Sequence, residues 1–202
     1  AASDVYKRQK EINLSMNPKI PDDCDLLFLY APTSDITDDE KTIIEKYLSD
    51  GGKVYLILGD TTSDTPNLDG IMSDYGLKKV SGYIADTQRC YQGNYYAIFP
   101  QLSLSGDLGS GISNQMVLLL NSPGMEKTDT DNDNLTVTPF MQTSDSGYAV
   151  TENDQTQGQY ILGAVSTNAI SADSSDSDSE DEDDKSDATD TDTKTARLTV
   201  LA

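Results

Sequence analysis

Histidine is absent from this 202-residue chain, which removes the commonest general base and the commonest metal ligand together, and with them any Ser-His-Asp or Cys-His-Glu triad. Cysteine occurs twice, at Cys24 and Cys90, too few for a disulfide scaffold and not spaced as a metal knuckle. Cys24 reads as a buried free thiol at the mouth of an apolar run, with a Cys24–Cys90 bridge as the alternative. Positive charge is scarce: 14 Lys and Arg stand against 35 Asp and Glu, a net charge of −21. That balance argues against nucleic acid and anionic lipid as partners, since both need clustered Lys and Arg. No stretch approaches the roughly 20 apolar residues of a membrane span, and no signal peptide is recognisable. Two motifs are also missing, the Gly-x-Ser-x-Gly elbow and the phosphate-cradling Gly-x-x-x-x-Gly-Lys.

Residues 20–60 organise the rest. Leu26-Leu27-Phe28-Leu29-Tyr30 is apolar without alternation, the pattern of a strand covered on both faces. After the break at Ala31-Pro32-Thr33-Ser34-Asp35, Thr37 and Glu40 form a capping box for a helix whose stripe is Ile43, Ile44, Tyr47 and Leu48. Gly51-Gly52 gives the left-handed exit, and Val54-Tyr55-Leu56-Ile57-Leu58 is a second continuous strand. Two such strands joined through a helix predict parallel pairing with a right-handed crossover. Lys10 to Leu14 is a short extended candidate before this unit. Thr65-Pro66 caps and starts a second helix that runs to Gly76.

Downstream, strands are expected at Leu77–Val80, Gly82–Asp86, Tyr95–Pro100, Met116–Leu120, Leu135–Met141, Tyr160–Val165 and Leu198–Leu201, with loop from Leu102 to Ile112. The apolar share of 36% is low for one domain, and residues 171–195 account for much of the deficit, being almost entirely Ser, Thr, Asp and Glu. The expected organisation is residues 1–9 as a non-native N-terminal remnant, 10–170 as an α/β domain, 171–195 as an acidic disordered insertion, and 196–202 as a truncated strand of the same domain. The chain is read as a fragment. The expected fold is an open, mainly parallel α/β sheet with flanking helices, flavodoxin-like, with a strand-rich C-terminal half.

An open parallel sheet binds ligands at the carboxyl ends of its strands, where Ser34, Asp35, Asp60 and Thr61 stand as candidate ligand-binding residues; Ser, Thr and Asp also favour turns and caps for their own sake. Asp129, Asp131 and Asp133 have the alternation of a calcium loop. Their sixth position is Asn134 rather than Gly and their twelfth is Phe140 rather than Glu, so an acidic solvent loop is the better reading. No catalytic residue and no cofactor is expected.

The run Ile20–Asp25, Ala31–Glu40, Tyr47–Val54 and Pro66–Leu77 resembles the soluble region of the GldG-type auxiliary proteins of ABC transporters, well over residues 10–100 and weakly beyond. The resemblance implies an extracytoplasmic α/β domain, similar in fold to glutamine amidotransferases but without their catalytic residues, flanked by membrane helices and accompanying an ABC permease and ATPase in an export or gliding-type system. This chain departs from the family pattern in having no histidine near Leu102–Ile112 and in its acidic insertion. Against this non-catalytic reading stand three alternatives: a small-molecule or glycan binding module using the crevice at Ser34 and Asp60, a divergent hydrolase with Asp60 or Asp35 as base, and a cytoplasmic scaffold.

Overall fold

The computed structural model describes residues 9–59, 64–104, 116–170 and 194–202. The expected βαβ unit is present: β1 (Leu27–Tyr30), α1 (Asp38–Ser49) and β2 (Lys53–Ile57), with β1 and β2 parallel and Leu27 opposite Val54. Both halves of the capping box form, the Glu40 amide donating to Thr37 Oγ1 at 3.2 Å and the Thr37 amide donating to Glu40 Oε2 at 2.9 Å. At the other end Gly51, at φ +91°, lets its amide reach the Leu48 carbonyl while Gly52 reaches Tyr47, a Schellman closure. Ile44 and Leu48 are buried under the sheet.

After α2 (Pro66–Asp74) the regular elements of the described residues are all strands: β3 (Leu77–Val80), β4 (Tyr83–Asp86), β5 (Cys90–Tyr91), β6 (Asn94–Ile98), β7 (Gln101–Leu102), β8 (Leu119–Leu120), β9 (Gly124–Lys127), β10 (Leu135–Gln142), β11 (Gly147–Val150), β12 (Gln155–Gln157), β13 (Ile161–Ile170) and β14 (Lys194–Leu201). The main sheet runs β1-β2-β14-β13-β10-β7, with β9 and β3 attached beside β13. Only β1, β2 and β14 are mutually parallel; β13, β10, β7, β9 and β3 all pair antiparallel. Among the described residues there are also two small antiparallel sheets, β12-β11-β4 and β5-β6-β8.

This corrects the expected open, mainly parallel, flavodoxin-like or amidotransferase-like sheet: the protein is strand-rich with mixed and antiparallel sheets. The cause is connectivity. After α2 no crossover helix occurs among the described residues; the short links of β5–β6 and β11–β12 can only turn back, and the antiparallel pairs of the main sheet join strands distant in sequence, so their direction is set by tertiary packing. Gln92-Gly93, both at positive φ, make such a turn between β5 and β6, the two-residue geometry that favours hairpins. Pro139 lies inside β10, opposite Ala164 of β13, at the edge of a register shift, the kind of irregular position where a sheet tolerates proline.

Three smaller expectations also change. β1 is not covered on both faces, since Phe28 and Tyr30 are exposed. Residues 10–14 are irregular, although Ile12 and Leu14 pack on the core. Cys24 is half-buried rather than buried, and both cysteines are free. Residues 1–8 and 171–193, where the N-terminal remnant and most of the acidic insertion were expected, lie outside the described residues. The strands on either side of residues 171–193 do pair directly, Ile170 opposite Lys194, and β14, starting at Lys194 rather than at residue 196, is an interior strand between β2 and β13.

The core has two parts. One lies between the main sheet and the helices, built on Leu27, Ile44, Leu48, Val54, Leu56, Met72, Leu77, Leu198 and Val200. The other, built on Ile84, Ile98, Met141, Ala149, Tyr160 and Leu162, joins the main sheet to the small ones. Among the described residues no helix is long and apolar enough to cross a membrane.

Candidate functional site

Beyond the carboxyl end of β1 a polar knot joins the β1–α1 loop to α2. Asp35, half-buried after β1, accepts the Asn67 amide on Oδ2 at 2.8 Å and the Leu68 amide on Oδ1 at 3.1 Å, so it satisfies the open N-terminus of α2 from 32 positions away in sequence, as a capping carboxylate does. Thr65, expected as that cap, makes no capping bond; its hydroxyl donates to Asp69 and accepts from Lys79. Asn67 Nδ2 returns to the Ile36 carbonyl at 2.8 Å and to Asp38 at 3.0 Å. The Asp35 carboxylate is therefore engaged in holding α2 against the β1–α1 loop. Ser34 is exposed beside it. Asp60 and Thr61 lie outside the described residues.

Asp129, Asp131 and Asp133 stand in the loop between β9 and β10. That loop is held by neutral groups: the Asn132 amide donates to Thr130 Oγ1, the Asn134 amide to Asn132 Oδ1, and Asn132 Nδ2 to Asn168 Oδ1. Among the described residues no three His, Cys, Asp or Glu side chains are grouped to hold a metal.

Sequence reasoning missed a groove of about 570 Å³ where the small sheets meet, lined by Gly82, Tyr83, Tyr96, Asn121, Val150, Thr151 and Glu152. Tyr83 and Val150 are register partners in β4 and β11, and the Asn121 amide donates to the Tyr96 carbonyl at 3.0 Å. Gly82 sits at φ +84° so close to the Val150 carbonyl that a Cβ would collide with it, and Asn121 also has positive φ, +47°. Glycine and asparagine at turn positions were the available signals, but they mark the turn and not the walls. Two phenol rings, an amide and a carboxylate equip the groove for stacking and hydrogen bonding.

The far end of β4 carries the most enclosed charge described. Asp86 has no exposed surface, and its carboxylate accepts from the Gln88 and Arg89 amides at 2.9 Å, the Ser144 amide at 2.7 Å and the Ser144 hydroxyl at 2.8 Å. Burial pushes its pKa up, and the bonds from Ser144, Arg89 and Gln88 outweigh that and hold it below the usual range. These donors come from its own turn and from the end of β10, so Asp86 ties the β12-β11-β4 sheet to the main one. Glu40 is also lowered, first by the Ser15 hydroxyl, which donates to it at 2.6 Å.

Comparison with known proteins adds two findings. A family model described as "ABC-type uncharacterized transport system" matches residues 4–168. A solved structure titled "mmIFT52 N-terminal domain" is similar in fold, with a TM-score of 0.51 at 12% identity over 88% of this chain, which spans 64% of that one. None of the curated proteins compared matches.

Proposed function

Because the chain belongs to the family of ABC-type uncharacterised transport systems, we propose that it is the non-catalytic, extracytoplasmic domain of a membrane-anchored accessory subunit, of the GldG type, in an export or gliding-type system. It works through protein contacts with the permease and ATPase of that system. The family match over residues 4–168 carries the reading. Two features support a role without catalysis: the chain has no histidine, and the carboxylate of Asp35 is taken up as the cap of α2. The test is affinity purification of the full-length protein from its own cells, together with the gene neighbourhood. Stoichiometric recovery of an ATPase and a permease encoded beside it supports the proposal. A full-length protein purified without either, or turnover in a broad hydrolase and amidase screen that is lost on Asp60→Asn, overturns it.

A further inference from the structure

In a chain with 35 Asp and Glu, the six strands β1, β2, β14, β13, β10 and β7 of the main sheet contain none. Burial explains this on the helix side, where Leu27, Val54, Leu56, Leu198 and Val200 pack under α1 and α2. It does not explain the opposite side of the parallel part. Strand alternation places Phe28, Tyr30, Lys53, Tyr55 and Arg197 there, and Phe28 is 50% and Tyr30 73% exposed. The Phe28 ring lies 6.1 Å from that of Tyr30 and 5.6 Å from that of Tyr55. A water-facing sheet surface in so acidic a protein would be expected to mix in carboxylates.

The cations there are as unusual as the aromatics. Lys53 and Arg197 are direct register partners, both exposed, and neither has an acidic partner among the described residues. Like charges directly opposite one another repel, so the pair is suited to an anion from elsewhere. β1 is also an edge strand, and Leu26 to Tyr30 lacks the charges or prolines that ordinarily protect an edge. From β1 to β14 the strip spans about 10 Å, and the five residues of β2 run about 16 Å, which is the footprint of one helix of about three turns. Parallel strands ordinarily have helices on both faces.

We propose that this face docks an amphipathic helix of a second polypeptide, with its apolar stripe on Phe28, Tyr30 and Tyr55 and its acidic residues against Lys53 and Arg197. An anionic membrane offers the same signs of charge, but the net charge of −21 opposes approach to it. The inference rests on the surface alone and is independent of which system the protein serves.

The test is photocrosslinking in the protein's own cells, with benzoylphenylalanine placed at position 28 of the full-length chain and, as a control, at position 39 on the outer side of α1. A position-28 adduct mapped to an acidic amphipathic helix of another protein, and reduced about tenfold by Lys53→Glu with Arg197→Glu, is the expected result. An unchanged melting temperature in that double variant separates lost docking from lost folding; if it unfolds, Lys53→Gln with Arg197→Gln replaces it. No adduct, an adduct with lipid, with a second copy or with the same polypeptide, or a mapped segment without carboxylates, overturns the proposal. Because the mapped protein is identified, a helix from outside any transporter would leave this inference standing while removing the proposed function.

Discussion

From Leu27 to Tyr75 charge works at chain reversals near solvent: Thr37 and Glu40 close one end of α1, Lys46 bonds Asp50 at the other, and Asp35 closes α2. In the strand-rich part the decisive charge is interior, Asp86 with four donors and no exposed surface. The difference follows from what each architecture leaves unpaired. Helices leave orphan donors at their ends, which can be met at the surface, whereas strands that switch between sheets leave orphan donors inside, where an unmet one is costly. The helical part should therefore lose stability in small steps and the strand-rich part in one large one.

The largest effect expected is one that ignores this division. Leu198 is fully buried in β14, between β2 and β13, and Leu198→Ala should cost about 3 kcal/mol from lost burial and the cavity left behind. Because β14 joins the parallel strands to the antiparallel ones, urea unfolding should stay a single transition with a lower midpoint. Two separated transitions would show that the regions fold independently and would break the comparison.

Asp86→Ala comes next. It strands the Ser144, Gln88 and Arg89 donors, and should cost about 2–3 kcal/mol. Amide exchange should quicken in β4, β11 and β12 well before it does in α1. Uniform quickening would mean that the buried carboxylate holds the whole molecule rather than one part of it.

What could be read from the residues divides along the same line. The βαβ unit was legible because its signals are local: the Thr37 and Glu40 box, the Ile44 and Leu48 stripe, Gly51 and Gly52. The antiparallel part was not. Its strands were mostly recognisable, but nothing in Leu135–Met141 or Tyr160–Val165 says which neighbour each takes, and the one parallel pair does not set the direction of the rest. β9 and β12 were missed because Gly124–Lys127 and Gln155–Gln157 carry little β-branched or aromatic character, and β11 because Gly147–Val150, though it holds Tyr148 and Val150, is only four residues long. Asp35 was noticed for its position at a strand end, but its partners on Asn67 and Leu68 belong to tertiary structure. The groove of Tyr83, Tyr96, Asn121 and Glu152 draws on four separate segments, a constellation that no spacing rule finds.

A smaller effect tests the capping role directly. Asp35→Ala should cost about 1 kcal/mol, the ordinary worth of a cap, and loosen the first turn of α2 in amide exchange while the small sheets stay unchanged. Asp35→Asn, which keeps an acceptor oxygen, should recover part of the loss. If Asp35→Ala is neutral, the carboxylate is free for a ligand after all and the crevice regains its interest.

The smallest effect, and the sharpest on the comparison, is the response to pH. Burial, with the Cys24 side chain and Asp25 nearby, pushes Tyr47 up to about 12, and burial with Asp74 nearby does the same to Tyr75. Both belong to the helical part. An unfolded tyrosine releases its proton near 10.0, so between pH 10 and 12 the unfolded chain holds fewer protons than the native one and stability falls as pH rises; below 10 the contribution is complete. Asp86 has the opposite sign: its unfolded carboxyl takes a proton near 3.8 while the native one resists to lower pH, so its contribution is complete above 3.8 and is lost as pH falls through the depressed native value. Alkali should thus weaken the helical part and acid the strand-rich part. Thermal melts across pH should show a shallower alkaline slope in Tyr47→Phe with Tyr75→Phe, and a shallower acid slope in Asp86→Asn. Glu40 adds an acid response of its own in the helical part, but it lies nearer solvent, so added salt should shrink its share and leave that of Asp86 largely intact. Parallel slopes in wild type and variants would mean that these three groups do not govern the pH response, and the division of the molecule by where its charge sits would then be one of geometry alone.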